Sequence, residues 1–154
     1  MNLKNKIKNI FFIKYRIWKY NFLSECKNVT GKPNLYIPLL LRGEGKIQFG
    51  KNFQNGVILA HHYYSSYNYI LSRFKNSEVI IGNNVVIANG ATIQAENKIV
   101  IEDDVMIGIN CMLVDSDGHD LNPDKRNDGI PKSGQITIKK NVIIYYNSTV
   151  FKGV

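Results

Sequence analysis

Large aliphatic residues recur at every sixth position over most of the second half of the chain. They form three runs, which are Ile81, Ile87 and Ile93, then Ile101, Ile107 and Leu113, and finally Ile138, Ile144 and Val150. A period of six fits neither an α-helix nor an alternating strand. It fits a coil of three short strands separated by tight corners. The pattern therefore predicts an all-β parallel β-helix in which each anchor points inward and stacks on its equivalents in the neighbouring coils.

Turn-forming residues fill many positions between the anchors, as in the GNN of residues 82–84 and the NG of residues 89–90. Glycine and asparagine adopt the positive φ values that tight corners often require. We place the β-helix domain at residues 43–154, with residues 43–60 as an irregular earlier coil. The aromatic segment 61–69 interrupts the pattern. It predicts either a sugar-binding surface or a loop that packs beside an N-terminal helix.

The N-terminal segment carries a different pattern, in which apolar residues fall near one face of a helix. These residues are Leu3, Ile7, Ile10, Phe11, Ile17 and Trp18. The pattern predicts a basic amphipathic helical arm over residues 1–25. Two placements of its apolar face remain open, since the face either docks on the rest of the protein or rests on an anionic membrane surface.

The formal net charge of +8 is concentrated in this arm. Six lysine and arginine residues precede the first acidic residue, Glu25, and the rest of the chain is nearly neutral, so no nucleic-acid partner is expected. A protein that binds a membrane surface or nucleic acid through this arm is a further alternative. The apolar run at residues 10–13 is too short for a signal peptide or a membrane-spanning helix. Cys26 and Cys111 have no metal or redox spacing. These features predict a cytoplasmic protein, with the inner face of the membrane as an alternative location.

The six-residue period breaks after Leu113 and resumes at residue 136, so residues 115–135 are predicted to form a loop extruded from the coil. This loop contains His119 within the sequence DSDGHD. Histidine suits proton transfer near neutral pH, and a carboxylate that binds its second ring nitrogen would fix the tautomer. Asp115, Asp117 and Asp120 are all close enough in sequence for that role.

Two stretches, IGNNVVIANGATI at residues 81–93 and IEDDVMIGINC at residues 101–111, resemble the hexapeptide-repeat acyltransferase family, as does the DSDGH loop with Arg126 downstream. The resemblance is greatest to the branch that O-acetylates sugars and surface polysaccharides, with the maltose and galactoside acetyltransferases as relatives. It implies a left-handed parallel β-helix of hexapeptide repeats, a homotrimer, and acetyl-CoA as the acyl donor without a metal. It also implies that His119 is the general base that deprotonates a sugar hydroxyl of a glycan precursor.

Further site residues are implied by the same resemblance or by their position near the loop. Substrate-binding candidates are Asp115, Asp117, Arg126 and Asn89, and the candidates for the phosphates of coenzyme A are Lys139 and Lys140. Asn89 lies one position away from the place where the resemblance expects a substrate-binding asparagine. Arg126 could instead pair with Asp124 or Asp128, and the two lysines could equally be solvated surface residues.

The third run departs from the pattern, because Lys139 and Tyr145 stand where small residues are expected and the sequence ends at Val154. The resemblance implies further coils that help to build the acetyl-CoA groove. We therefore expect an incomplete domain with weak or no turnover. The alternative to an acetyl-CoA-dependent O-acetyltransferase is a non-catalytic β-helix remnant or an assembly subunit. The sequence does not separate O-acetylation from N-acetylation.

Overall fold

The computed structural model describes residues 3–127 and 131–154. The chain begins with a helical arm that contains α1 (Leu3–Asn9), a π-helical segment (Ile10–Lys14) and α2 (Tyr15–Leu23). A 3₁₀ turn, Pro123–Lys125, is the other helical segment within the described residues. No helix in this part of the chain is long and apolar enough to cross a membrane.

Short strands make up the rest of the regular structure. They are β1 (Asn28–Thr30), β2 (Asn34–Leu35), β3 (Leu39–Arg42), β4 (Lys46–Phe49), β5 (Gln54–Asn55), β6 (Asn68–Ser72), β7 (Glu78–Ile81), β8 (Val86–Ile87), β9 (Thr92–Ala95), β10 (Lys98–Ile101), β11 (Met106–Ile107), β12 (Met112–Val114), β13 (Ile136–Ile138), β14 (Ile143–Ile144) and β15 (Thr149–Phe151).

The strands form three parallel five-stranded sheets, which the chain visits in turn. Sheet A contains β1, β4, β7, β10 and β13, sheet B contains β2, β5, β8, β11 and β14, and sheet C contains β3, β6, β9, β12 and β15. Each set of three consecutive strands is one coil of the chain. This architecture is consistent with a parallel β-helix. The predicted all-β class with an N-terminal helical arm is therefore confirmed.

The nine aliphatic anchors form three columns through the interior. Their in-register sets are Ile81, Ile101 and Ile138 in sheet A, Ile87, Ile107 and Ile144 in sheet B, and Ile93, Leu113 and Val150 in sheet C. The six anchors of the third and fourth coils are at most 2% exposed. Burying one such side chain contributes roughly 1.5–3 kcal/mol, so the columns are a main source of stability.

Asparagine and aspartate residues turn the chain at the corner between sheets A and B. Asn52, Asn84, Asp104 and Asn141 all have φ between 55° and 63° there. Asn52 Nδ2 donates to Asn84 Oδ1 at 3.1 Å, and Asn84 Nδ2 donates to Asp104 Oδ1 at 3.0 Å. These residues tolerate the left-handed conformation better than other non-glycine residues do, and their side chains link successive coils along the corner.

The coil begins earlier than the predicted boundary at residue 43. Strands β1, β2 and β3 already form a full coil between Asn28 and Arg42. Val29, Leu35 and Leu41 are six residues apart and pack against the core, which is the signal from which this coil can be recognised. The segment is harder to recognise because its corners also contain prolines, at positions 33 and 38, which the later coils lack outside residues 115–135.

The helical arm docks on the body by one side. Arg16 donates three hydrogen bonds, of 2.6, 2.9 and 2.7 Å, to the main-chain carbonyls of residues 64–66. Ile13 is buried, and the ring of Tyr20 lies 4.6 Å from that of Tyr67. Residues 64–67 of the aromatic segment therefore pack beside the helix, as one of the two predictions had it, and the sugar-binding surface stays a prediction.

The docked side is not the apolar face from which the arm was predicted. Leu3, Phe11 and Trp18 are all more than 60% exposed, and Ile17 is half-buried. Of the two placements left open for this face, docking on the rest of the protein is therefore contradicted for most of its length. Polar contacts fix the docked side instead, because the Arg16 guanidinium donates to three consecutive main-chain carbonyls of the loop.

Candidate functional site

Residues 115–135 connect β12 to β13 at the corner between sheets C and A. The base of this loop is a short antiparallel neck, in which Ser116 bridges to Ser133 and the Asp117 N–H donates to the Lys132 carbonyl at 3.0 Å. Because the neck pairs the outgoing and returning chain, the described part of the tip, residues 118–127, projects from the coil rather than folding into it.

His119 lies exposed in this tip, and a main-chain group orients its ring. Nδ1 is 3.0 Å from the carbonyl oxygen of Asp120. A ring nitrogen must carry a proton to bond a carbonyl oxygen, so the neutral ring is protonated on Nδ1 and keeps the Nε2 lone pair. Nε2 is therefore the atom that can accept a proton from a substrate.

Asp115 does not contact the His119 ring. Its side chain is fully buried, and its two carboxylate oxygens accept hydrogen bonds from the main-chain N–H groups of Glu96 at 2.7 Å and Asn97 at 2.8 Å. These two residues form the corner between β9 and β10. Asp115 thus fastens the start of the loop to the coil below, and this geometry assigns it a structural role in place of the predicted contact with substrate or histidine.

The other two aspartates near His119 are also engaged elsewhere. Asp117 Oδ2 forms an ion pair with Lys152, next to the end of β15. Asp120 Oδ1 accepts a hydrogen bond from the Asn122 N–H at 2.8 Å. The expectation that a carboxylate fixes the histidine tautomer is therefore wrong in this structure, where the carbonyl of Asp120 performs that task.

Asn89 is buried and holds the loop that follows β5. Its Oδ1 accepts a hydrogen bond from the Val57 N–H at 2.9 Å. Its Nδ2 donates to the carbonyls of Val57, Ala60 and His61 at 3.1, 3.4 and 2.9 Å. With both polar atoms occupied, the side chain anchors the loop, and the geometry does not present it to a substrate.

Lys139 and Lys140 lie at the corner between sheets A and B, across sheet A from the loop that carries His119. Lys139 Nζ pairs with Glu102 Oε1 at 3.0 Å, and Lys140 Nζ lies 3.5 Å from Asp104 Oδ2. The Lys139 hydrogen bond, followed by the one from the Lys140 N–H, holds the pKa of Glu102 below its usual value. Within one chain, these lysines and His119 do not converge on one ligand.

Arg126 lies in the exposed tip, at the end of the 3₁₀ turn. Its guanidinium has no hydrogen-bond or ion-pair partner within residues 3–127 and 131–154, and it is not paired with Asp124. The alternative pairing with Asp128 lies outside the described residues. Arg126 is thus the one substrate-binding candidate that stays both exposed and close to His119 in the chain.

A groove of about 380 Å³ runs along the outside of sheet C. It is lined by Ser65, Ser66, Tyr67, Tyr69, Gly90, Thr92 and Gln94. The Gln94 carbonyl accepts a hydrogen bond from the Asp115 N–H at 3.2 Å, so the groove ends where the His119 loop begins. Hydroxyl, amide and aromatic groups can bind sugar hydroxyls and C–H faces.

The floor of this groove was not predicted from the sequence. Thr92 and Gln94 flank the anchor Ile93 on β9, so strand alternation directs their side chains outward. The signal was therefore present in the sequence. What alternation alone does not reveal is that the loop after β5 folds over the same face and supplies Ser65 and Ser66 as the facing wall.

A second, mostly apolar groove of about 360 Å³ lies on the outside of sheet B. Its lining includes Val86, Met106, Ile143, Tyr145 and Tyr146. The last four side chains are at least half exposed in the single chain. Contiguous apolar surface of this kind often marks a protein–protein contact.

No protein-family model, curated protein or solved structure matches this chain. Within the part of the chain that the structure describes, no group of three or more histidine, cysteine, aspartate or glutamate side chains is arranged to hold a metal ion. Its function must therefore be inferred from the His119 loop and the two grooves.

Proposed function

We propose that the protein is an acyltransferase that transfers an acetyl group from acetyl-CoA to a sugar hydroxyl, with His119 as the general base. The observation that carries this proposal is the exposed His119 ring, oriented through Nδ1 with Nε2 available, on a loop that begins at the end of a hydroxyl-lined groove. The resemblance to the hexapeptide-repeat acyltransferases supports the same function. The proposal also includes the left-handed coil of hexapeptide repeats that the resemblance implies, and the cytoplasmic location predicted from the sequence.

In the proposed reaction, Nε2 of His119 removes the proton of the acceptor hydroxyl while the oxygen of that hydroxyl attacks the thioester carbonyl carbon. The carbon–sulfur bond then breaks, the acetyl group remains on the sugar oxygen, and the proton passes from His119 to the departing sulfur. The transient imidazolium is stabilised by its Nδ1 hydrogen bond to the Asp120 carbonyl, since a bond from a charged donor is roughly twice as strong as a neutral one.

The groove on sheet C supports a neutral sugar as the acceptor. None of the side chains that line it carries a charge. Tyr67 and Tyr69 offer ring faces for sugar C–H groups, and Ser65, Thr92 and Gln94 offer hydrogen-bonding groups. An acidic sugar would need a cation at the groove, and Arg126 in the exposed tip is the candidate for that role.

The donor site requires a second chain in this proposal. Lys139 and Lys140 lie across sheet A from His119 and already pair with carboxylates, so one chain does not assemble a phosphate site beside the base. The apolar groove on sheet B offers a surface for self-association. In a cyclic homotrimer, the loop tip of one chain can meet the lysine corner of the next.

The test compares His119→Gln with His61→Gln, which changes another exposed histidine beside the groove loop. Transfer is measured with radiolabelled acetyl-CoA and a panel of neutral, acidic and amino sugars, so that slow turnover is still detected. We expect His119→Gln to lower kcat/KM by about 10²–10⁴-fold. Its melting temperature should not change, because the side chain is exposed, and His61→Gln should retain wild-type rates.

Equal rates for wild type and His119→Gln would refute the role of His119. If the wild-type protein neither binds acetyl-CoA in calorimetry nor transfers label to any acceptor, acyl transfer itself is refuted. A second candidate function, a non-catalytic assembly subunit, would then be favoured by the exposed apolar surface on sheet B. Light scattering on the same samples determines the number of chains per particle.

A further inference from the structure

The side of the arm that faces away from the body carries a continuous apolar stripe. It consists of Leu3, Ile7, Phe11, Tyr15, Trp18 and Phe22, which are between 48% and 80% exposed. Their spacing is four residues, with one step of three between Tyr15 and Trp18. The docked residues Ile13, Arg16 and Tyr20 lie on the opposite side.

The π-helical segment keeps this stripe on one side of the helix. In a regular α-helix, each step of four residues rotates the side chain by about 40° around the axis. Three such steps from Leu3 to Tyr15 would wind the stripe away from its starting face. The segment Ile10–Lys14 has a wider turn, which offsets the rotation. A π turn of this kind often marks a functional position.

Aromatic rings form the second half of the stripe. The Trp18 ring lies 5.9 Å from that of Tyr15 and 6.2 Å from that of Phe22. Tryptophan and tyrosine prefer the interface between lipid headgroups and hydrocarbon, because one end of each ring system is apolar and the other can bind water. The stripe therefore has the composition of an interfacial helix.

Positive charge accompanies the stripe on both sides. Five exposed lysines belong to the same helix, namely Lys4, Lys6, Lys8, Lys14 and Lys19, and no acidic residue precedes Glu25. Arg16 is engaged with the carbonyls of residues 64–66, so it fixes the arm and leaves the stripe facing outward. The arm is thus a helix held against the body, and it carries an outward-facing apolar stripe bordered by lysines.

We propose that this arm binds an anionic lipid bilayer, with the helix lying in the plane of the interface and the stripe buried among the headgroups and upper acyl chains. Anionic headgroups neutralise the five lysines, whereas a second copy of the arm would bring five further lysines against them. A nucleic-acid backbone would neutralise the lysines but would leave the Trp18 and Phe22 rings in water.

Trp18 provides a direct readout because it is the only tryptophan in the chain. The full chain is mixed with vesicles of equimolar phosphatidylcholine and phosphatidylserine, and with vesicles of phosphatidylcholine alone. We expect co-sedimentation and a blue shift of the Trp18 emission with the mixed vesicles. Binding should be far weaker with phosphatidylcholine alone, and it should weaken as salt is added.

Two pairs of matched variants separate the charge from the apolar contribution. The triple change Lys4→Gln, Lys8→Gln and Lys14→Gln should lower the partition coefficient roughly a hundredfold, since each basic residue near the surface contributes about fivefold. The control makes the same charge change outside the arm, at the exposed residues Lys27, Lys32 and Lys51. It should change the partition coefficient much less.

The apolar pair consists of Phe22→Ser in the stripe and Leu59→Ser outside the arm. The Leu59 side chain is 96% exposed. Phe22→Ser should lower the partition coefficient at least tenfold, at the low end of the effect of burying a phenylalanine (roughly 1.5–3 kcal/mol). Leu59→Ser should leave it unchanged. All these residues are exposed, so the melting temperature should stay constant and loss of binding cannot come from loss of fold.

Three outcomes would overturn the proposal. The first is the absence of a Trp18 shift and of sedimentation with the mixed vesicles. The second is a blue shift that develops without vesicles as protein concentration rises, which would assign the stripe to a second copy of the chain. The third is an equal Trp18 shift with duplex DNA, which would assign the arm to nucleic acid.

Discussion

Asp115 provides a sharp test of the distinction between support and chemistry in the His119 loop. Its buried carboxylate accepts hydrogen bonds of 2.7 and 2.8 Å from the N–H groups of Glu96 and Asn97. The change Asp115→Ala removes both acceptors and leaves two main-chain donors without a partner. If Asp115 is structural, the consequence is a loss of folding stability; if it contacts substrate, the consequence is a loss of transfer activity.

The size of the effect follows from the burial of the two donors. A hydrogen bond to a charged group contributes about 1.5–3 kcal/mol. Glu96 is half-buried, so the bond from its N–H should contribute about 2 kcal/mol. Asn97 is exposed, and water can replace the lost acceptor there, so about 1 kcal/mol is reasonable for the second bond. The total of about 3 kcal/mol corresponds to a decrease in melting temperature of roughly 10 °C for a domain of this size.

The assay is thermal unfolding by circular dichroism together with acetyl transfer well below the transition. Asp115→Asn keeps one acceptor but turns an amide N–H toward the other donor, so its destabilisation should fall between those of wild type and Asp115→Ala. Asp120→Ala is the matched control, since its carboxylate accepts a single N–H in the exposed tip. It should cost less than about 1 kcal/mol. A wild-type melting temperature for Asp115→Ala, with transfer abolished, would refute the structural assignment.

Two further predictions concern the corner between sheets A and B. Because the pKa of Glu102 is lowered by Lys139 and the Lys140 N–H, its stabilising contribution is complete above the usual glutamate pKa and is lost as the pH falls through the lowered value. Glu102→Gln should therefore reduce stability at neutral pH and flatten the acid side of a plot of melting temperature against pH; an unchanged acid side would contradict this. The backbone at Asn84 has a φ of 55°. Asn84→Ala should therefore be less stable than Asn84→Gly by about 1–2 kcal/mol in urea unfolding, because glycine adopts this conformation without strain and alanine does not. Equal midpoints for these two variants would contradict that reason.

The local sequence determined much of the coil. Residues such as Ile81, Ile101 and Ile138 recur at positions that can be buried in register, and no distant information is needed to find them. The corner residue Asn84 is equally local, because the need for a positive φ favours asparagine or glycine whatever surrounds it. The break in the six-residue period after Leu113 is also a local feature of the sequence, and it was enough to locate the loop that contains His119.

The partners of polar side chains were decided only by the tertiary structure. Asp115 is four residues from His119, yet the coil places the N–H groups of Glu96 and Asn97 against its carboxylate. The side of the helical arm that docks was likewise set by the loop carbonyls that Arg16 meets, almost fifty residues along the chain. Hydrophobic burial depends mainly on spacing along the chain, and so it can be read from the sequence. A hydrogen bond depends on which donor and acceptor the completed coils bring within about 3 Å, and that distance exists only after folding.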